Sequence, residues 1–345
     1  MKKTLGAFSI ILFLSAVPVA TGQEKLPFAT YREMRAHLGQ LFEQKKYTEA
    51  AMLLESVLDR FPENVLANTF NLATARAFLG ETDKAVAALE EGHRRGVFYG
   101  IWDFGAELWA PVKGSPRFDA FRKENEARIA EAQSRAVLLT DVSTPAGYDP
   151  ARTYPLFIAL HGGGETVAEL KPLWTSPRLR SDFITVYVQS TQVASMKGFH
   201  WQDVALTRRD VEAAYKKVLA QYPVDAGRVV IGGFSSGGYG AMVAAFAGLF
   251  PVRGFVALCP PVPEALRDED ISGAKGRGLR GAILTTEMDQ RVDAQRAFAE
   301  RLKGLGLPIE FHMTPDIGHW FPEDFGAQLD RAVGLILPAA PGPRR

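Results

Sequence analysis

The sequence predicts a two-part chain: a small all-α domain over residues 23–133, followed by an α/β domain with a mostly parallel sheet over residues 134–338. Two patterns predict the division. Apolar residues recur at helical spacing up to about residue 136, and beyond it short apolar runs alternate with helical stretches. Strands alternating with helices require a sheet covered on both faces.

At the amino terminus, Met1, Lys2 and Lys3 precede an apolar run over residues 5–20 and the small residues Ala20, Thr21 and Gly22. A basic start, a short apolar stretch and small residues at a cut site predict a secretory signal over residues 1–22, too short to span a membrane. Cleavage near Gly22 would leave a periplasmic or secreted protein with no stable membrane span. No cysteine stands at the cut to carry a lipid.

In the helical part, Tyr47-Thr48-Glu49-Ala50-Ala51 with Leu54 recurs about 35 residues on as Thr82-Asp83-Lys84-Ala85-Val86 with Leu89. Small residues, a leucine four positions later and this period resemble tetratricopeptide repeats, in which paired helices stack on a shared apolar stripe. Two repeats bury little surface alone, so helices from about Trp102 and over residues 115–135 are expected to cap them. A working repeat groove would take a peptide or protein ligand; an irregular helical bundle would take none.

The second part carries apolar runs at 154–160 (YPLFIAL), 183–188, 228–232 (RVVIG), 254–259 (GFVALC), 281–285 (GAILT) and 309–313, with helices at 238–250, 291–305 and 325–337. Residues 339–345 are Pro-rich and expected as a disordered tail.

Gly233-Phe234-Ser235-Ser236-Gly237 lies between the 228–232 run and the small-residue helix after it. That is the strand, sharp turn and helix of a nucleophile elbow, in which flanking glycines let a strained serine project from the sheet edge. A serine hydroxyl needs a base, and the base needs an acid to hold its tautomer. Of the six histidines, His319 follows the last strand in a loop at the carboxyl edge of the sheet, where open α/β sheets gather their catalytic groups. His200, beside Trp201, is the runner-up and is expected to line the pocket. For the acid, Asp289 follows the 281–285 strand, with Asp293 and Asp316 as competitors. The order Ser235, Asp289, His319 is the order of this elbow chemistry.

An oxyanion hole needs backbone N–H donors. Gly162-Gly163-Gly164 after the first long strand would supply one at Gly162 or Gly163, and Ser236 the other. Trp201, His200 and Trp320 are the expected substrate contacts. Every residue assigned to the chemistry follows residue 160, which makes the helical part a docked accessory, the alternative being a roof over the pocket through the aromatic stretch Phe98, Tyr99, Trp102 and Trp109.

These residues, with 144–149 (TPAGYD) leading into the first strand and 318–322 (GHWFP) around the histidine, resemble α/β-hydrolase-fold esterases of the phospholipase/carboxylesterase and polyhydroxybutyrate-depolymerase-like type. The resemblance runs from about residue 135 to 338. It implies an α/β-hydrolase fold and ester cleavage through an acyl-enzyme, with a small-molecule ester as substrate and no metal or organic cofactor. A serine peptidase of the same fold, or a non-catalytic helical-repeat binding protein, are the alternatives. Relatives of this type often carry Gln, Met or His where this chain has Ser236, a change expected to touch the pocket and not the mechanism.

A formal net charge of +1 without a basic run gives no electrostatic reason to expect nucleic acid. The single cysteine, Cys259, has no intrachain disulfide partner and reads as a buried, inert thiol.

Overall fold

In the computed structural model, which describes residues 28–105 and 107–338, the helical spacing of the first part yields α1 (Tyr31–Glu43), α2 (Tyr47–Val57), α3 (Val65–Phe78), α4 (Thr82–Arg94) and α5 (Pro116–Arg135). The expected signal segment and tail lie outside the described residues. Thr30 opens α1 with its hydroxyl on the Glu33 N–H while the Glu33 carboxylate reaches back to the cap backbone, satisfying donors the helix leaves unpaired. Helices α2 and α4 carry the repeated motif. They bury Ala50, Ala51 and Leu54, and Ala85, Val86 and Leu89, in one core.

The helix expected from Trp102 does not form. Residues 101–104 are turns and Glu107–Trp109 is a single 3-10 turn. The reason is a tertiary contact: the Asn125 side chain on α5 bonds both the N–H and the C=O of Tyr99, holding the chain extended as Tyr99 and Trp109 enter the helical core. Through the turn the Gly100 N–H goes to the Asp103 carboxylate, that of Ile101 to the Ala194 carbonyl, and those of Asp103 and Gly105 to carbonyls three residues back, so no i→i−4 ladder starts.

The second part forms a seven-stranded sheet. Its strands are β1 (Leu139–Ser143), β2 (Tyr154–Leu160), β3 (Ile184–Gln189), β6 (Val224–Phe234), β7 (Gly254–Leu258), β8 (Arg280–Thr286) and β9 (Ile309–Thr314), in the order β1-β3-β2-β6-β7-β8-β9. All neighbours are parallel except β1, which runs antiparallel to β3 at the edge. A separate hairpin joins β4 (Gln192–Ser195) to β5 (Gly198–His200). Neither β1 nor the hairpin stands out in the sequence, because LTDVS on an exposed edge lacks the apolar run that marks a central strand.

On β2, Leu156, Ile158 and Leu160 face one layer while Phe157 and Ala159 face the other. The first layer is built from α8 (Val204–Gln221), α9 (Ser236–Ala247), α10 (Asp268–Gly276) and α11 (Val292–Gly304). The second holds α6 (Val167–Leu173), α7 (Pro177–Asp182) and α12 (Phe325–Ile336). Two covered faces explain why the central strands read as continuous apolar runs.

The two parts are bolted together at the hairpin. Gln133 of α5 donates to the Thr191 carbonyl at 2.5 Å and accepts from the Val193 N–H at 2.8 Å, as a neighbouring strand would. The Ile101 N–H adds a bond to the Ala194 carbonyl at 2.9 Å. Among the described residues no helix is long and apolar enough to cross a membrane.

Candidate active site

Ser235 stands between the end of β6 and the start of α9, with φ 52° and ψ −118°, a region that side-chain-bearing residues seldom occupy. The elbow closes only because its flanks are glycine. A Cβ on Gly233 would lie 2.4 Å from the Gly237 carbonyl carbon, and one on Gly237 would lie 2.3 Å from the Leu160 oxygen. The turn is pinned by the Ser235 N–H, which donates to the Leu258 carbonyl at 2.8 Å.

The structure brings Ser235, His319 and Asp289 into one hydrogen-bonded chain. His319 Nε2 lies 2.9 Å from Ser235 Oγ, and His319 Nδ1 lies 2.5 Å from Asp289 Oδ2. The loop carrying His319 is tied to the end of β8 by Thr286 Oγ1 donating to the Gly318 carbonyl and Met288 N–H donating to the Ile317 carbonyl. Asp289 is buried. Burial alone would raise its pKa, but the hydrogen bonds from His319 and from the Arg291 N–H, with the positive charge of Arg291, hold it below the usual carboxylate range. An ionised acid there fixes the proton on Nδ1 and leaves Nε2 to accept from the serine. The competing acids stay out of the chain: Asp293 is exposed in the first turn of α11, and the Asp316 N–H donates to Glu287.

The oxyanion donors need one correction. The Gly162 N–H is already bonded to Glu165 Oε2 at 2.8 Å, so it has no proton to offer a substrate. Burial raises the pKa of that Glu165 carboxyl, while the bond from Gly162 opposes the rise. Gly163 and Ser236 remain, and neither backbone N–H is hydrogen-bonded among the described residues. They are adjacent: a Cβ on Gly163 would lie 3.4 Å from the Ser236 Cβ. The Ser236 hydroxyl is also used, accepting from the Trp201 N–H at 2.9 Å.

A cavity of about 520 Å³ opens over Ser235, lined by Gly163, Ser236, His319, Trp102, Gln202, Tyr239, Pro261 and Arg291. None of the three expected substrate contacts lines it. Trp201 is fully buried, seated against Gly240 with its indole N–H on the His161 carbonyl, so its bulk serves the core. His200 accepts from the Gln202 N–H and forms a T-shaped pair with Trp102, with centroids 5.7 Å apart. Burial lowers its pKa to about 4, which keeps it neutral behind the wall. Trp320 is half exposed and forms a T-shaped pair with Phe234. The Cys259 thiol is buried, and burial pushes its pKa up to about 11, so it holds its proton.

The cavity also reaches into the part of the chain expected to be a mere accessory. Trp102, from the helical part, would sit 3.2 Å from a Cβ on Gly163. Of the aromatic stretch that offered a roof, Trp102 is the member that lines the cavity. Tyr239 stands one helical turn after Ser235, and Arg291 two residues after Asp289, spacings from which their presence beside the site could have been read.

Residues 41–95 match the family described as tetratricopeptide repeat. Among curated proteins, no sequence matches this chain. An uncharacterized protein from Bacillus cereus is similar in structure at 22% identity, covering 89% of this chain and 98% of its own, with a TM-score of 0.49. Esterase PE8 is similar at 16% identity over 56% of this chain and 99% of its own, with a TM-score of 0.46. Est2, an esterase of Thermogutta terrifontis, is similar at 18% identity over 60% of this chain and 90% of its own, with a TM-score of 0.46. One antiparallel edge strand, a crossed-over parallel sheet and a serine elbow leading from its central strand into a helix make the second part an α/β-hydrolase fold, carried behind a tetratricopeptide-like helical domain.

Proposed function

We propose that this protein is a serine hydrolase that cleaves carboxylic esters through an acyl-enzyme. The observation that carries the reading is the unbroken chain Ser235–His319–Asp289 at the mouth of a cavity, with the Gly163 and Ser236 N–H groups beside the hydroxyl. In this mechanism Ser235 Oγ attacks the ester carbonyl as His319 Nε2 takes its proton. The oxyanion that forms is met by the two N–H groups, and Asp289 stabilises the imidazolium. His319 then returns the proton to the departing alcohol. Water, deprotonated by the same imidazole, releases the acid and restores Ser235. Every proton moves through His319, so neither a metal nor an organic cofactor enters the scheme.

The helical domain's part in this reading is to close the cavity with Trp102, which gives it a hand in substrate choice. We further propose export to the periplasm or medium, on the strength of residues 1–22; amino-terminal sequencing of the mature protein would find a start near residue 23 if that is right.

The test of the hydrolase reading is a fluorophosphonate probe, which reacts only with an activated serine, together with hydrolysis of 4-nitrophenyl butyrate. Wild type should label and turn over, and Ser235→Ala should do neither while unfolding at the wild-type temperature. A variant that keeps more than a few per cent of activity, or a greater loss in Ser236→Ala, would move the nucleophile elsewhere. Turnover of small peptides with no turnover of esters would favour the peptidase alternative.

A further inference from the structure

Arg291 is the one cationic Lys or Arg side chain among the described residues lining the cavity, and no Asp or Glu lines it. Its position relative to the triad is fixed, because its own N–H donates to Asp289 Oδ1 at 2.7 Å. Its guanidinium is nonetheless uncommitted. Among the described residues no acceptor hydrogen-bonds it, and its nearest carboxylate approach is Nη1 to Asp289 Oδ1 at 3.9 Å, beyond hydrogen-bond reach. Both Asp289 oxygens are already engaged, one by His319 and the other by the Arg291 N–H. The side chain is 35% exposed, so part of its charge is withdrawn from water. The side-chain polar groups of Gln202 and Tyr239, on the same wall, likewise have no hydrogen-bond partner among the described residues.

From this geometry we propose that the natural ester carries a carboxylate beyond the scissile carbonyl, and that Arg291 receives it as a specificity-determining residue. The inference rests on the hydrolase reading above. A guanidinium presents a planar fork that matches a carboxylate through two parallel hydrogen bonds, and one positive charge balances one negative one. The rival role for Arg291 is to offset the charge of Asp289, which would help every substrate equally.

Two matched pairs of esters separate these roles and locate the carboxylate. Mono-4-nitrophenyl glutarate against 4-nitrophenyl butyrate places it on the acyl side; 4-acetoxybenzoate against phenyl acetate places it on the leaving group. In one pair the charged-to-neutral ratio of kcat/KM should fall by about 10- to 100-fold from wild type to Arg291→Gln, with most of the change in KM. Arg291→Lys, which keeps the charge and loses the fork, should fall between them. A ratio unaltered in both pairs, with kcat lowered alike for charged and neutral esters, would assign Arg291 to Asp289 and overturn the proposal. Should Arg291→Gln fail to fold, wild type alone gives the answer: added salt must raise KM for the charged ester more than for its neutral partner, and an equal response counts against it. Calorimetry of glutarate binding to Ser235→Ala, with and without Arg291→Gln, needs no turnover. Carboxylate binding lost with Arg291, together with a wild type that hydrolyses no ester, would therefore sink the hydrolase reading alone.

Discussion

His161 is buried at the end of β2, one residue before the glycine loop, and its protonation should set the acid limit of the fold. Its Nε2 accepts from the Ser190 N–H at 3.2 Å, so the ring's one proton sits on Nδ1 and goes to the Gly162 carbonyl at 2.7 Å. Burial lowers its pKa to about 4. In the unfolded chain a histidine titrates near 6.5, so the shift of roughly 2.5 units corresponds to a stability contribution on the order of 3 kcal/mol. Because the folded pKa is the depressed one, that contribution is whole above about pH 6.5. It drains away as the pH falls to about 4, where only the unfolded chain takes up the proton. Urea unfolding of wild type and His161→Gln between pH 7 and pH 4 measures it: wild type should lose about 3 kcal/mol more than the variant across that interval. Parallel curves for the two proteins, or an imidazole resonance of His161 that titrates near 6.5 in the folded state, would refute the reasoning.

Asp289→Asn should lower turnover by about 10⁴-fold with little change in KM, since an amide neither stabilises the imidazolium nor holds its tautomer; equal rates in steady-state assays would remove Asp289 from the chain. Asp289 itself titrates below the ordinary value, so its contribution to stability is present above about pH 3.9 and is lost only as the pH falls below that, a window separate from that of His161 in the same unfolding series. Trp102→Ala takes the helical domain's side chain off the cavity wall and should change the ratio of kcat/KM for bulky over small esters by about 10-fold or more; an unaltered ratio would return the helical domain to the role of a bystander. Gly237→Ala drives a Cβ to 2.3 Å from the Leu160 oxygen, and the elbow should yield by about 2 kcal/mol or more with loss of probe labelling; a thermal midpoint and labelling equal to wild type would contradict the packing described.

What the sequence determined by itself is local. Strands buried on both faces had to be apolar throughout, so β2, β3, β7, β8 and the buried second half of β6 were legible as runs, and the half-buried edge strand β9 was legible from Ile309, Phe311 and Met313 although Glu310 and His312 interrupt it. The glycines around Ser235 and the loop positions of Asp289 and His319 could be read because strained turns and strand ends impose residue choices at short range. The repeat in the helical part was legible for the same reason, since stacked helices ask for the same small residues at a fixed period. The tertiary structure decided what depends on which distant segment arrives next door. Trp201 and Trp102 are equally aromatic, yet the slot at Gly240 takes the first into the core, while Asn125 and Ala194 hold the turn that brings the second over the serine. A hydrogen bond is made by whichever partner reaches the donor, and nothing in a stretch of ten residues records who that partner will be.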